Sequence, residues 1–130
     1  LKQYLQDYEE VYDYRNIEVT IDEQGVFKVK MNESLAVALL TNLLKNAFVH
    51  NIDGGHIRIT ITKNGITFRN SGVEHPLDKE HIFERFYQGS KKEGSTGLGL
   101  AIADSICRLQ HLNIKYYFEQ NEHCFEISQS

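Results

Sequence analysis

Apolar side chains recur with two different spacings along the chain, and these spacings divide it into helices and strands. Residues 1–14 carry apolar side chains three or four positions apart, which is typical of a helix with one buried face. Apolar and polar residues alternate over 17–21 and again over 27–31, on either side of a turn at Gly25. The pattern therefore predicts an N-terminal helix followed by a first β-hairpin.

The second predicted helix is the most strongly patterned element. Ser34, or Asn32 before it, can accept hydrogen bonds from free N–H groups and so cap its N-terminus. The helical pattern continues to about Asn51, where Asp53-Gly54-Gly55 interrupts it. We therefore expect one long helix between these signals.

A second β-hairpin is predicted next, followed by a long loop. Residues 57–61 and 66–68 alternate on either side of Asn64-Gly65, which is a tight-turn signal. Residues 71–96 are mostly polar and contain several glycines, with one apolar island at 82–87. This composition is typical of a functional loop that holds one short helix and can act as a lid.

The last third of the chain completes the predicted fold. Helical spacing returns over 97–112, and the apolar positions within 114–118 and 125–127 predict two closing strands. Strands in antiparallel pairs, with three helices gathered separately, indicate an α+β two-layer sandwich rather than a parallel, doubly wound sheet.

The composition is that of a single domain spanning residues 1–130. Of the 130 residues, 41% are hydrophobic and 25% are charged, an ordinary globular balance. The net charge of -4 argues against a nucleic-acid partner, because a phosphate-backbone binder needs a basic face. The chain contains neither a membrane-spanning apolar run nor a secretion signal. It begins at Leu1 and enters a helical pattern at once, so we expect a fragment of a longer protein.

The two cysteines bear on the compartment. Cys107 and Cys124 have no metal-binding spacing and form no recognisable disulfide framework. A reducing cytoplasm fits this usage best.

Three polar residues of the second helix are candidates for a site. Asn42, Asn46 and His50 are four positions apart, so they lie on one side of the helix, beside Leu39 and Leu43. Buried carboxamides need partners, because an unsatisfied amide costs about 1–3 kcal/mol. Two interpretations are open: the amides bond to neighbouring backbone, as asparagine often does, or a ligand supplies the partners.

A glycine-rich turn forms the second candidate, Gly94-Ser95-Thr96-Gly97-Leu98-Gly99-Leu100, and it leads directly into a helix. Free N–H groups at a helix N-terminus bind phosphate, and glycine lets the backbone approach closely. The spacing matches neither the P-loop nor a dinucleotide-binding fingerprint. These glycines either cradle a phosphate or only shape the loop.

Three segments, taken in order, resemble the N box, F box and second glycine box of sensor histidine kinases. They are Asn42–Ala47, Ile82–Tyr87 and Ser95–Ile102, and the resemblance covers about Ser34 to Ser105. It implies the Bergerat-type ATP-binding fold shared with gyrase, MutL and the ATP-driven heat-shock chaperones. That fold is a mixed, mostly antiparallel sheet of about five strands packed under three helices, with an ATP lid.

The resemblance also implies ATP and Mg²⁺ as the ligands. Asn46 would be the Mg²⁺ ligand, since its amide oxygen is a hard donor suited to this metal. Residues 96–100 would cradle the phosphates, and His50 would lie beside the nucleotide. The implied ATP-binding set is Asn42, Asn46, His50, Asn70, Gly72, Phe83, Arg85, Phe86, Lys91, Thr96, Gly97, Leu98, Gly99 and Leu100.

The lid has its own implied residues. Phe83, Arg85 and Phe86 would anchor it to the rest of the domain. Lys91 and Lys92 either reach phosphate or belong to a solvated loop.

The sequence departs from the family pattern at two places. Val49 stands where many relatives have a Lys or Arg that contacts phosphate. Asn70-Ser71-Gly72-Val73-Glu74 stands where the first glycine box reads Asp-x-Gly-x-Gly. An Asn carbonyl can still accept a hydrogen bond from the adenine amino group, but without the charge that strengthens it. We therefore expect nucleotide binding that is weakened and not abolished.

The choice between kinase and hydrolase depends on position 42. Hydrolytic members of the superfamily usually carry a Glu four residues before the metal-binding Asn, where it can deprotonate water, and this chain has Asn42 there. The resemblance thus implies a histidine protein kinase whose acceptor histidine arrives from another domain. None of the six histidines fits the acceptor pattern, so we expect no phosphorylation of the chain by itself.

The implied partners are the phosphoacceptor and dimerisation helices of the same kinase and a downstream response regulator, without nucleic acid or direct membrane contact. The chain would be the cytoplasmic domain of a membrane-bound sensor kinase in a two-component system. The alternative is a degenerate, pseudokinase-like nucleotide-binding or interaction module without phosphotransfer, which Val49 and Asn70 favour.

Overall fold

The computed structural model describes residues 15–84 and 98–129. Within these ranges a five-stranded sheet carries two helices, and each helix is followed along the chain by two consecutive strands. The bounds are β1 Glu18–Glu23, α1 Glu33–Val49, β2 His56–Thr62, β3 Gly65–Asn70, α2 Gly99–Leu109, β4 Leu112–Glu119 and β5 Glu122–Gln129.

The strand order across the sheet is β1-β2-β3-β5-β4. β1 pairs with β2 in parallel, and the other three pairings are antiparallel. The register aligns one residue from each strand in a single row, Ile21, Ile59, Phe68, Phe125 and Tyr116. The last four of these are at most 5% exposed, so the row forms the floor of the core. The mixed, mostly antiparallel sheet of five strands is confirmed.

Both helices contribute to the same hydrophobic cluster as this row. Leu43, Leu44 and Phe48 of α1 are at most 1% exposed. Ala103 and Cys107 of α2 are fully buried. Because every helix and strand of the core adds apolar side chains to one interior, the two-layer α+β arrangement is confirmed.

The first predicted hairpin is wrong. Residues 26–30 form no strand, and the hydrogen-bonded neighbour of β1 is β2, with Val19 opposite Ile57. Phe27, Val29 and Met31 nevertheless pack against the core as partly buried side chains. The alternation therefore reflects which side chains are buried, and it does not identify a backbone partner.

The second and third predicted helices and the other predicted strands agree closely with the structure. Residues 82–84 of the predicted short loop helix are not helical, and 85–87 lie outside the described ranges. Asn32, not Ser34, caps α1: its Oδ1 accepts a hydrogen bond of 2.7 Å from the Ser34 N–H. β2 and β3 form the second hairpin. β4 and β5 form another, and its two turn residues, Gln120 and Asn121, both have positive φ, as a type I′ turn requires. The N-terminal helix predicted over residues 1–14 lies outside the described ranges, which contain two helices.

Both cysteines are buried thiols without a disulfide. Cys107 and Cys124 are each 0% exposed, and burial raises the pKa of each thiol to about 11. We expect neither to react with an aromatic disulfide reagent at pH 8 in the folded protein, since the thiolate is the reactive form. In denaturant, the reagent should label both thiols immediately. Rapid labelling of the native protein would contradict this burial.

Candidate functional site

Asn42, the first predicted site residue of α1, lies beside the start of α2. The Asn42 Nδ2 donates a hydrogen bond of 2.7 Å to the Ala38 carbonyl, so one half of this carboxamide is used by local backbone. The other half faces α2: a Cβ atom built on Gly99 would lie 3.2 Å from the Asn42 Oδ1. The helix predicted to hold the metal is therefore a neighbour of Gly99, the last glycine of the segment predicted to hold phosphate.

Asn46 lies one turn further along α1 and is partly buried. Its carboxamide takes part in no hydrogen bond with the residues that the structure describes. His50 follows as the C-cap, with its N–H bonded to the Asn46 carbonyl at 3.1 Å. Asn46 thus offers an unengaged amide oxygen of the kind that Mg²⁺ accepts as a ligand.

The packing at the end of α1 also explains why position 72 is a glycine. A Cβ atom at position 72 would lie 2.9 Å from the His50 carbonyl oxygen and 3.0 Å from the His123 Cδ2. The first of these is a backbone atom that cannot move aside cheaply. Glycine is therefore required at position 72 by close packing between α1 and β5.

Asn70, the last residue of β3, carries the least expected feature of the site. It is 2% exposed, and its Nδ2 donates a hydrogen bond of 2.8 Å to the Ser71 carbonyl. Its Oδ1 is buried and has no hydrogen-bond partner among the residues that the structure describes. A buried acceptor of this kind costs about 1–3 kcal/mol unless something supplies a donor. The position is thus suited to a ligand that donates a hydrogen bond.

The start of α2 is suited to an anion. Leu98, Gly99 and Leu100 are partly buried, and the N-cap residue Leu98 makes no side-chain capping hydrogen bond. The first turn contains no acidic residue that would repel a phosphate. The predicted site residues Arg85, Phe86, Lys91, Thr96 and Gly97 lie outside the described ranges, as does Lys92.

Phe83 is the one predicted lid anchor within the described ranges. Its ring meets Phe125 edge to face, with 6.2 Å between ring centroids. The preceding Ile82 is 3% exposed and belongs to the core. These two contacts hold residues 82–83 of the predicted loop on the helical side of the sheet.

A buried asparagine that the sequence analysis treated only as the end of a helix organises this region. Asn51 is 0% exposed, and its Oδ1 accepts hydrogen bonds from the Ile52 N–H at 2.8 Å and the Ser71 hydroxyl at 2.6 Å. Its Nδ2 donates to the carbonyls of Ala47 at 3.1 Å and His56 at 2.9 Å. Asn51 therefore joins the end of α1 to the residue that follows Asn70.

Arg15 stabilises the same end of α1 from the other side. Its guanidinium donates hydrogen bonds to the Phe48 carbonyl at 2.7 Å and to the Asn51 carbonyl, and it pairs with Asp53 at 2.9 Å. A cation at a helix C-terminus interacts favourably with the free carbonyls and the helix dipole. The pattern of apolar residues gave no signal for this contact, which joins positions far apart in the sequence.

An exposed cluster elsewhere brings together metal-ligating side chains. Asp78, Glu80 and His81 hold ligand atoms within 4.8 Å of one another. The hydrogen bond of 2.6 Å between His81 and Asp78 raises the pKa of the imidazole and lowers the pKa of the carboxyl. This ion pair accounts for the closeness of the groups without a metal.

No helix within the described ranges has the length and apolar character needed to cross a membrane.

Comparison with known proteins places the fold among ATPases. The family model described as "Histidine kinase-, DNA gyrase B-, and HSP90-like ATPase" matches residues 31–128. The sensor histidine kinase RppB of Synechocystis is 44% identical over 84 residues, which cover 58% of this chain and 18% of RppB. The heme sensor protein HssS of Staphylococcus aureus is 40% identical over 90 residues, which cover 65% of this chain and 20% of HssS. The aligned part thus corresponds to about a fifth of each curated relative.

Solved structures agree with these sequence relatives. The catalytic domain of histidine kinase ThkA superposes with a TM-score of 0.80 at 25% identity, covering 98% of this chain and 90% of that domain. A structure of ThkA in complex with the response regulator protein TrrA matches with a TM-score of 0.76, covering 99% of this chain and 39% of that one. With the matching family model, these findings establish that the chain belongs to the histidine kinase-, DNA gyrase B- and HSP90-like ATPases and resembles the catalytic domains of sensor histidine kinases.

Proposed function

We propose that this chain binds Mg-ATP and donates the γ-phosphate to a histidine on a separate dimerisation and phosphoacceptor domain, as the catalytic domain of a sensor histidine kinase. The observation that carries the proposal is the buried Oδ1 of Asn70, which has no hydrogen-bond partner within residues 15–84 and 98–129. Its partner nitrogen is committed to the Ser71 carbonyl, so the oxygen is presented as a fixed acceptor. An acceptor in this place selects a purine with an amino group, which is the chemistry of adenine.

Asn46 would hold the Mg²⁺ ion, which supplies charge neutralisation to the phosphates when it is bound. The backbone N–H groups in the first turn of α2 would bind phosphate oxygens, together with residues Thr96 to Leu100. The short separation between Gly99 and Asn42 supports one continuous site that includes both helices. Lys91 and Arg85 would add positive charge from the lid.

Asn42 supports transfer to an acceptor over hydrolysis. An amide cannot take a proton from water near neutral pH, and its Nδ2 is already bonded to the Ala38 carbonyl. The domain therefore has to present the γ-phosphate to an incoming imidazole. We propose that this imidazole comes from the phosphoacceptor helices of the same kinase, that a response regulator receives the phosphate, and that the domain works in the cytoplasm, where ATP is supplied.

Calorimetric titration with a non-hydrolysable ATP analogue tests the proposal. We expect binding that Mg²⁺ strengthens in the wild-type chain. Asn46→Leu should abolish the effect of Mg²⁺, because leucine offers no ligand atom. Asn70→Ala should weaken binding about tenfold whether or not Mg²⁺ is present, because it removes one buried hydrogen bond. The exposed turn variant Asn64→Ala is the matched control and should bind as the wild type does.

The competing function is a degenerate nucleotide-binding or interaction module without phosphotransfer. It is favoured by Val49, which is 4% exposed and packs in the interior where relatives place a phosphate contact. A ligand that binds only the folded state raises its stability by RT ln(1 + [L]/Kd). If neither calorimetry nor thermal unfolding responds to millimolar analogue with Mg²⁺, this competing function replaces the kinase proposal.

A further inference from the structure

His123 on β5 lies directly opposite Asn70 in the sheet register, and both of its ring nitrogens are engaged. Its Nε2 lies 2.7 Å from the Val73 carbonyl oxygen, and its Nδ1 lies 2.7 Å from the Tyr116 hydroxyl. That hydroxyl also accepts a hydrogen bond of 3.0 Å from the Leu77 N–H. Two strands thus hold both ends of the 73–77 segment that follows the proposed adenine contact.

The contact with Val73 fixes one proton of the imidazole. The Val73 carbonyl can only accept, so a proton is on Nε2 of His123. In the neutral imidazole Nδ1 accepts a hydrogen bond from the Tyr116 hydroxyl, whereas in the charged form it would donate to that oxygen. Burial disfavours the charged form and lowers the pKa of the imidazole, so His123 is neutral here, with its proton on Nε2.

The packing around the imidazole is tight. The Tyr116 ring stacks on the imidazole with 5.9 Å between ring centroids. The centroid of the Phe118 ring lies 4.8 Å from that of the imidazole. His123 is 4% exposed. Gly72 fits between the imidazole and the His50 carbonyl oxygen only because glycine has no Cβ atom. A displacement of His123 would therefore move the backbone directly beyond Asn70.

We propose that His123, together with Tyr116, is a positioning residue for nucleotide binding: the neutral imidazole holds segment 72–77 so that the Asn70 oxygen faces the adenine. This inference rests on the proposed function. It also adds to it, because the imidazole makes nucleotide affinity depend on pH through a group that does not contact the ligand. Protonation of Nδ1 would reverse the hydrogen bond with the Tyr116 hydroxyl and place a charge in the buried interior, which would weaken the hold on segment 72–77.

The direction of the pH dependence follows from the surroundings of His123. Burial lowers the pKa of the imidazole, the hydrogen bond to Val73 opposes this, and the nearby His75 lowers the pKa further. His50 lies beyond Gly72, and Glu122 on the same strand is bonded on the outer face to His56 and Arg58. Because the pKa of folded His123 lies below its ordinary value of about 6.5, the imidazole is neutral and supports nucleotide binding above that pH. This support is lost as the pH falls through the lower pKa of the folded protein.

The test measures affinity for the ATP analogue with Mg²⁺ from pH 5 to pH 8 in the wild-type chain, His123→Gln and Tyr116→Phe. Glutamine keeps a neutral donor for the Val73 carbonyl but cannot titrate, so it should bind within about threefold of wild type at pH 7.5. The ratio of wild-type to glutamine-variant affinity should then fall as the pH drops below 6.5. Protonation of the analogue itself is common to both proteins and cancels in this ratio.

Tyr116→Phe should weaken binding about fivefold at pH 7.5, because Leu77 and His123 each lose a hydrogen bond. Tyr117→Phe on the outer face, where the hydroxyl bonds to Glu126, is the matched control and should leave the affinity unchanged. Amide exchange at Leu77, measured without ligand, should accelerate in Tyr116→Phe and stay at the wild-type rate in Tyr117→Phe.

The outcomes separate the two proposals. A constant affinity ratio across the pH range, or a proton on Nδ1 in a nitrogen-correlated NMR spectrum of the imidazole, would overturn the positioning role alone. No binding by the wild-type chain at any pH would overturn the proposed function, whatever the Leu77 exchange rates show.

Discussion

The Phe68→Ala variant should unfold with a free energy about 3–5 kcal/mol lower than that of the wild type, because truncation of a buried ring removes its transfer energy and leaves a cavity. Phe68 is 1% exposed on the central strand, between Ile59 and Phe125 in the row across the sheet. Native domains are stabilised by only about 5–15 kcal/mol, so this single change removes a large part of the total. Urea denaturation followed by circular dichroism measures it.

Val26→Ala is the control for Phe68→Ala. Val26 is 67% exposed, so its truncation should change the free energy of unfolding by no more than about 0.5 kcal/mol. The comparison requires equal denaturant slopes in the three proteins. Equal midpoints for Phe68→Ala and Val26→Ala would show that Phe68 is not part of the core.

Asn51→Ala is expected to cost about 3 kcal/mol, because it leaves several buried groups of one network without partners. The Ser71 hydroxyl and the Ile52 N–H lose their acceptor, and two carbonyls lose their donor. The loss also frees Ser71, the neighbour of Asn70, so nucleotide affinity should fall with stability. Thermal unfolding with and without the ATP analogue measures both effects.

Asn51→Asp distinguishes a specific network from general packing. A carboxylate has the shape of the carboxamide but cannot donate to the Ala47 and His56 carbonyls. It should therefore destabilise the protein at neutral pH at least as much as alanine does. Asn113→Ala, at an exposed position of β4, should have little effect. If the Asp variant is as stable as the wild type, the donor half of the network contributes nothing.

Much of the sheet was predictable because alternation of side chains is a local property. The segments around Ile59, Phe68 and Phe125 were all identified as strands, and they form the centre of the core. The first hairpin failed because residues 27–31 alternate for the same reason, burial on one side, without joining the sheet. Which strand pairs with β1 depends on α1, which carries the chain back to place β2 beside β1.

The candidate site was only partly predictable, for a similar reason. Asn70 and Gly72 were identified by resemblance to a family motif, and the structure adds the unpaired oxygen and the tight packing. His123 and Asn51 were missed because their roles come from contacts with residues remote in the sequence. A single sequence contains no periodic signal for such contacts.

The strand order also has a consequence for the rate of folding. The β2-β3 and β4-β5 hairpins join neighbouring segments and need little loop closure, so they can form early. The β3-β5 pairing at the centre of the sheet joins segments separated by the long loop, α2 and β4. Closing this larger loop loses more chain entropy before the contacts between the two strands can form. The slow step of folding is therefore expected at the seam between β3 and β5, where Asn70 faces His123.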